Sequence, residues 1–288
     1  MCDGTGLTKF AKEYPNRFFD VGIAEQHAIG LAAGMARNGL KPVVPLYSSF
    51  FQRAYDQVVH DVCIQNLPVT ICVDRAGIVG NDGETHQGLL DLCFLNSIPN
   101  MNIAAPKDFK ELEDMLEFSV ELDKPIAIRY PRGSEDDYEF TTHKKVELGK
   151  AEVLREGEDI TIIALGKYVA KAMKLADRFE KKNISVEVIN LRFLKPLDEE
   201  TIIKSISKTK NVVTLEDGYM LNGMGSAILE LISDQQVKNI KIKKMGYPDK
   251  FIKHGNVEEI EKKYKLDLDG IEKTIEEEFI KNKNVLHA

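Results

Sequence analysis

The side chains best suited to chemistry lie just beyond short apolar runs in the first half of the chain. Three of them are arginines, Arg53, Arg75 and Arg132. The planar fork of N–H donors in a guanidinium group matches two phosphate oxygens at once, so this grouping predicts an anionic substrate. The other candidates supply a carboxylate, an imidazole or an aromatic surface, and they are Glu25, Tyr47, Phe50, Asp82 and His86.

Each candidate also has an ordinary structural interpretation. Glu25 opens a predicted helix, where a carboxylate can simply interact with the positive end of the helix dipole. Arg75 directly follows Asp74 and could form a surface ion pair with it. Phe50 could be a core residue at a helix start, and His86 could serve a glycine-rich turn. The residue types alone leave both interpretations open.

Alternating strands and helices must position these side chains. Apolar runs in the first half predict strands at 17–21, 42–46, 68–74, 101–105 and 125–130, and amphipathic segments predict helices at 24–37, 50–65 and 108–122. Asp108 is a suitable N-cap, because its carboxylate can accept from the free N–H groups of the first turn. Ligands bind beyond the carboxyl ends of parallel strands, so the candidates should gather at one sheet edge.

A second alternating set follows a polar stretch without periodicity. It predicts strands at 159–165, 185–191, 211–215 and 240–246, helices at 169–181, 198–209 and 224–234, and two short charged helices after residue 256. Strands rich in Val and Ile that alternate with helices are typical of α/β folds with mainly parallel sheets. We therefore expect two α/β domains, at 1–133 and 147–288, joined by a linker at 134–146.

Composition restricts the class of protein. The 288 residues carry 39 basic and 46 acidic side chains, a net charge of −7, which argues against a nucleic-acid partner. No apolar run reaches the roughly 18 residues that cross a bilayer, so we expect no membrane contact. The four cysteines lack CxxC spacing, which favours reduced thiols in a cytoplasmic protein.

Six segments together resemble a known family. Residues 19–28, FDVGIAEQHA, resemble the pyrimidine-binding motif of the transketolase-like thiamine diphosphate enzymes. Five further segments are most similar to the 1-deoxy-D-xylulose-5-phosphate synthases of that superfamily. They are YSSFFQRAYDQ at 47–57, DRAGIVG at 74–80, DGETHQG at 82–88, YPRG at 130–133 and FLKPLD at 193–198. The resemblance extends over nearly the whole chain.

The resemblance implies a reaction and a cofactor. Pyruvate and D-glyceraldehyde 3-phosphate would condense with loss of CO2, and the product would feed isoprenoid, thiamine and pyridoxal synthesis. Thiamine diphosphate would carry the chemistry while the protein orients and tunes it. By the same resemblance, Glu25 hydrogen-bonds the aminopyrimidine ring, Phe50 stacks on it, Ile23 lines the cofactor site, and His86 contacts the substrate or an intermediate.

The resemblance also assigns residues to the binding site of the aldehyde substrate. Arg75 and Arg132 match the pair that binds the phosphate of the aldehyde, and Tyr47 and Arg53 match residues lining that site. Asp82 lies on the same loop as His86, where glycines allow opening and closing. Enzymes of this type pair through these domains, so a homodimer is expected.

One part of the family pattern is missing. Members hold the cofactor diphosphate through Mg2+ with a Gly-Asp-Gly motif and a later asparagine, and no such combination occurs here. We expect the diphosphate and metal ligands on a preceding N-terminal domain, so that this chain resembles the C-terminal two of three domains and supplies no metal ligand.

Three alternatives for the function of the chain remain: a fragment that is inactive alone, the C-terminal subunit of a split transketolase or 2-oxoacid dehydrogenase, or a non-catalytic assembly module. Two-carbon ketol transfer is an alternative reaction.

Overall fold

The computed structural model describes residues 2–280, so residues 281–288 of the predicted second domain lie outside the described part. Ten strands occur within that part. They are β1 Val43–Tyr47, β2 Thr70–Asp74, β3 Asn102–Ala104, β4 Ile126–Arg129, β5 Glu152–Arg155, β6 Ile160–Ala164, β7 Val186–Asn190, β8 Phe193–Lys195, β9 Asn211–Tyr219 and β10 Lys241–Tyr247.

Helices alternate with these strands, as the apolar periodicity predicts. The α-helices are α1 Thr8–Glu13, α2 Glu25–Arg37, α3 Ser48–Phe51, α4 Tyr55–Gln57, α5 Asp91–Asn96, α6 Phe109–Glu121, α7 Tyr168–Glu180, α8 Glu199–Thr209, α9 Met224–Asp234, α10 Val257–Lys263 and α11 Leu268–Ile275. Short 3₁₀ segments lie at Pro15–Arg17, Gln52–Ala54 and Gly80–Asp82, and π-helical segments at Val58–Cys63 and Glu276–Ile280. None of the helices within 2–280 is long and apolar enough to cross a membrane.

The strands form two five-stranded sheets, in the orders β1-β2-β4-β3-β8 and β10-β9-β6-β7-β5. All neighbours run parallel except the pairs β3–β8 and β5–β7. This confirms the expected α/β class with mainly parallel sheets. Strand β8 belongs to the second half of the chain but completes the sheet of the first half, so the two halves share a sheet. All residues of 134–146 are described, and none of them lies in a helix or strand.

The predicted strand at 17–21 is wrong. Its first residue ends the 3₁₀ segment Pro15–Arg17, and residues 18–22 form no strand. The side chain of Phe19 is largely exposed instead of packed in a sheet. A strand needs a neighbour to satisfy its backbone N–H and C=O groups, and residues 18–22 pair with no strand of either sheet.

A buried network of opposite charges joins the two halves. The Arg192 Nε lies 2.6 Å from Glu111 Oε1, and its Nη2 lies 3.1 Å from Glu152 Oε2. The Lys107 Nζ lies 3.2 Å from Glu111 and 3.3 Å from Glu152. All four side chains are almost completely buried. Two cations thus balance two carboxylates out of water, and two of the pairs, Arg192–Glu111 and Lys107–Glu152, cross between the halves of the chain.

Candidate active site

The carboxyl ends of three parallel strands place the candidate side chains at one edge of the first sheet. Tyr47 at the end of β1 is in register with Asp74 at the end of β2, and Val73 of β2 is in register with Arg129 of β4. The loop that begins at Arg75 therefore leaves the sheet beside Tyr47. This arrangement agrees with the strand-end rule applied to the sequence.

Glu25 is a buried carboxylate at the first residue of α2. It is only 4% exposed, and the Arg53 Nη1 lies 3.3 and 3.4 Å from its two oxygens. The carboxylate is thus withdrawn from water, while the guanidinium beside it is half exposed. A desolvated carboxylate next to a solvent-accessible cation is typical of a group held ready to bind a ligand.

An aromatic surface adjoins this carboxylate. The rings of Tyr47 and Phe50 stack with centroids 5.5 Å apart, and the His86 ring meets Phe50 edge-on at 5.2 Å. The Arg53 guanidinium lies 5.2 Å from the centroid of the Phe50 ring. Of the two neighbouring phenylalanines, Phe51 is the fully buried core residue, whereas Phe50 is only half-buried. The ring of Phe50 therefore keeps free surface for a planar ligand.

Arg75 is held on two sides. Its Nη1 lies 2.6 Å from Asp74 Oδ2, its backbone N–H donates to Asp74 Oδ1 at 2.7 Å, and its guanidinium lies 3.7 Å from the centroid of the Tyr47 ring. Burial raises the pKa of Asp74, and the charges of Arg75 and Arg132 oppose that rise. The Arg75 side chain is 15% exposed. The predicted ion pair with Asp74 exists, but it is mostly withdrawn from solvent and lies within the candidate site.

The loop after Arg75 carries Asp82 and His86. The Arg132 Nη1 lies 2.7 Å from Asp82 Oδ2, which ties this loop to the segment after β4. The backbones of Gly77 and Gly88 exchange two hydrogen bonds, at 2.6 and 2.7 Å, and so close the loop at its base. The loop is thus closed at its base and tied at Asp82 to the segment after β4.

Gln87 is a structural residue of this loop that sequence reasoning missed. Its Oε1 accepts from the backbone N–H groups of Val79 and Gly80, at 2.9 and 3.1 Å. These bonds support the 3₁₀ turn Gly80–Asp82 from inside the loop. A glutamine next to a glycine carries no local signal for such a contact, because the two partners come from the opposite arm of the loop.

Ile23, which is predicted to line the cofactor site, has a largely exposed side chain. Its side chain is 68% exposed and lies two residues before Glu25. Exposure of a β-branched apolar side chain beside a buried carboxylate is compatible with a ligand or a protein surface that covers it. Its assignment to the cofactor site stays a prediction.

A cleft of about 370 Å³ opens beside these residues. Its wall includes Phe251, which comes from the second half of the chain and is 81% exposed. Phe251 lies in an irregular segment after β10, so no strand or helix pattern marked it. The lining residues are Ser48, Ser49, Gln52, Glu84, Thr85, Gln87, Leu90 and Phe251.

Comparison with known proteins places this site in a family. Residues 1–135 match the transketolase pyrimidine binding domain, and residues 149–271 match the transketolase C-terminal domain. A solved structure titled a split gene transketolase, inactive beta4 tetramer, superposes with a TM-score of 0.87 at 32% identity, over 96% of this chain and 88% of that one. The chain therefore belongs to the transketolase family.

Curated relatives narrow the similarity within that family. The 1-deoxy-D-xylulose-5-phosphate synthase of Caldanaerobacter subterraneus is 54% identical over 96% of this chain, and that of Halothermothrix orenii is 52% identical over 94%. The matched region is 44% and 43% of those proteins, so the chain spans less than half the length of these relatives.

The site fits one end of thiamine diphosphate, the cofactor of this family. A desolvated carboxylate, Glu25, and a half-buried aromatic ring, Phe50, are suited to the edge and the face of a neutral aminopyrimidine. Among residues 2–280, no group of three or more His, Cys, Asp or Glu side chains could hold a metal ion.

Proposed function

We propose that this chain carries the pyrimidine-binding side of a 1-deoxy-D-xylulose-5-phosphate synthase site, which joins pyruvate to D-glyceraldehyde 3-phosphate with loss of CO2. The observation that carries the proposal is a continuous set of contacts from Glu25 through Arg53 and Phe50 to His86. These contacts place a buried carboxylate, an aromatic surface and an imidazole around one position. This reaction would be the first step of an isoprenoid route.

The chain's own residues would act on the cofactor as follows. Bound thiamine diphosphate would supply the chemistry that cleaves and forms the carbon–carbon bonds. The carboxyl group of Glu25 would share a proton with a ring nitrogen, which requires a position out of bulk water. The ring of Phe50 would support the pyrimidine face. A separate N-terminal domain would supply the ligands for Mg2+ and the diphosphate, so we propose that this chain alone is inactive.

Positively charged side chains would bind the phosphate group of the aldehyde substrate. Arg75 and Arg132 leave neighbouring strands of one sheet, and both lower the pKa of Asp74 against the effect of its burial. Because both arginines follow strands that end at the same edge of the sheet, they would bind the phosphate dianion together. Tyr47 would orient Arg75 through its ring, and His86 would reach the reacting atoms from the loop.

Assembly in trans tests this function. The chain should release no CO2 from pyruvate by itself, and it should release CO2 when mixed with a diphosphate-binding domain, Mg2+, thiamine diphosphate and D-glyceraldehyde 3-phosphate. The product should contain the three-carbon unit of the aldehyde. No turnover with any diphosphate-binding domain would instead favour a non-catalytic assembly module.

A second candidate is a subunit of a split transketolase. It is favoured by the neighbour titled a split gene transketolase, because this chain covers 88% of it. A ketose donor in place of pyruvate separates the two reactions. Transfer of a two-carbon unit without CO2 release would identify the transketolase, and the synthase should show CO2 release from pyruvate only.

Replacing Arg75 with alanine should weaken binding of the aldehyde phosphate selectively. Loss of one charged hydrogen-bonding contact costs about 1.5–3 kcal/mol, roughly a 10- to 150-fold rise in KM for D-glyceraldehyde 3-phosphate. The KM for pyruvate should change little, and Arg132→Ala should behave in the same way. Arg37→Ala, an exposed arginine at the end of α2, is the matched control and should leave both KM values unchanged. An equal rise for both substrates would overturn the phosphate assignment.

Two properties of the whole protein complete the proposal. All four cysteines are free thiols, and burial raises the pKa of Cys63 and of Cys72 to about 12. Free thiols, including these two with a raised pKa, support a cytoplasmic location. A homodimer is proposed from the family, with the exposed apolar side chains beside the cleft, such as Phe251, as part of the surface to be covered.

A further inference from the structure

A carboxylate of the C-terminal domain reaches across the domain interface to the loop that carries Asp82 and His86. The Ile78 backbone N–H donates to Asp217 Oδ1 at 3.1 Å, and the two residues are 139 positions apart in the sequence. Asp217 is only 3% exposed. A buried carboxylate that accepts from the main chain of a distant loop fixes the position of that loop more firmly than a contact between apolar side chains would.

The loop backbone is shaped around this carboxylate. Gly77 has a left-handed φ of +81°, and a Cβ atom there would lie 1.9 Å from Asp217 Oδ2. Only glycine allows the main chain to approach the carboxylate so closely. Since Gly77 also pairs with Gly88 to close the loop, the contact lies at the point where the loop leaves the sheet.

Asp217 is itself held in place by two cations. The Lys167 Nζ lies 2.6 Å from its Oδ2, and the Arg129 Nη2 donates to its backbone carbonyl at 2.9 Å. Arg129 is also paired with Asp91, at 3.0 Å between Nε and Oδ2. The carboxylate therefore cannot turn away from Ile78 without leaving Lys167, while Arg129 holds the backbone that carries it.

A second contact holds the same loop further along. The Gly255 backbone N–H donates to the Gly80 carbonyl at 3.4 Å, and a Cβ at Gly80 would lie 2.6 Å from the Gly255 carbonyl. The segment before α10 therefore touches the loop two residues beyond Ile78. The C-terminal domain thus contacts the loop at two positions, Ile78 and Gly80.

We infer that Asp217 is a positioning residue for the candidate active site: by accepting from the Ile78 N–H, the C-terminal domain sets the position of the loop that carries Asp82 and His86. This inference rests on the proposed function for its consequence in catalysis, but the contact itself can be tested without activity. It gives the Glu-Asp-Gly sequence at 216–218 and the C-terminal domain a role at the site.

Hydrogen exchange of the full 288-residue chain tests the contact. Asp217→Ala should make the amides of 76–88 exchange about tenfold faster or more, because one charge-assisted hydrogen bond is lost. Asp217→Asn keeps an oxygen that can accept from Ile78 but not the charge, so it should restore part of the slow exchange. Asp198→Ala is the matched control, since Asp198 is also buried and accepts from the Ala151 N–H without touching the loop. Unchanged exchange at 76–88 in folded Asp217→Ala would overturn the inference.

Gly77→Ala gives an independent test should Asp217→Ala not fold. The new methyl group must displace the loop from Asp217, so exchange at 76–88 should rise while the C-terminal domain is unaltered. Gly39→Ala is its control, because Gly39 has a similar φ of +83° with nothing within 4 Å of its Cβ position. Equal, slow exchange at 76–88 in both glycine variants would contradict the inference.

The kinetics of the assembled enzyme test whether the contact between Asp217 and Ile78 affects the candidate active site. Asp217→Ala should raise KM for D-glyceraldehyde 3-phosphate several-fold more than KM for pyruvate, and Asp217→Asn should return it towards the parent value. Faster loop exchange with equal effects on both KM values would overturn a positioning role. Absence of any turnover in the parent assembly would contradict the proposed function, whereas the exchange result would still decide whether Asp217 holds the loop.

Discussion

Replacing Glu25 with alanine should reduce kcat/KM of the assembled enzyme by about 10²–10⁴-fold. The carboxyl group is buried and lies 3.3 Å from Arg53, whose guanidinium lies over the ring of Phe50. Glu25→Gln should lose nearly as much activity, because an amide keeps a hydrogen bond but cannot share a proton with a ring nitrogen. CO2 release from pyruvate measures both variants.

The stability of the chain should hardly change in these variants. Arg53 loses its partner, but its side chain is half exposed and can be hydrated, so the cost should stay within about 1 kcal/mol. Glu258→Ala is the matched control, since Glu258 is an exposed first-turn glutamate of α10. A helix-dipole role predicts similar small losses of stability in both variants and no loss of activity in either. Full activity of Glu25→Ala would show that Glu25 serves only the helix.

The fold is largely readable from the sequence, because local patterns decide its elements. Asp108 caps α6 as predicted, its side chain accepting from the Glu111 N–H at 2.6 Å. The predicted helix at 50–65 forms, but as successive α, 3₁₀ and π segments between Ser48 and Cys63. Periodicity shows which face is buried and does not show such local changes of winding.

Long-range pairing accounts for what local patterns cannot predict. The strand β8 is only three residues long and pairs antiparallel with β3, which lies about ninety residues earlier in the chain. The contact from Asp217 to Ile78 likewise depends on how the two domains dock. By contrast, the sequence correctly predicted that Tyr47 and Arg75 lie together, because the carboxyl ends of neighbouring parallel strands meet at one edge of the sheet. The catalytic and binding roles of the predicted residues stay predictions.

Arg192→Met should lower the free energy of unfolding by about 3–5 kcal/mol. The variant leaves Glu111 and Glu152 buried with Lys107 as the single cation for two carboxylates. It also removes the donors to the carbonyls of Lys144 and Lys145. Urea denaturation of the full chain measures the loss. The matched control is Arg178→Met, whose partly exposed ion pairs should cost within about 1 kcal/mol.

A double variant separates the two sources of this cost. If an uncompensated buried carboxylate dominates, then adding Glu152→Gln to Arg192→Met should recover part of the lost stability, because Lys107 and Glu111 would remain as one balanced pair. If the lost hydrogen bonds dominate, the second substitution should add to the loss, since Glu152 also accepts from Lys107. Recovery would mean that charge balance across the domain interface holds the two domains together, and an additive loss would contradict that view.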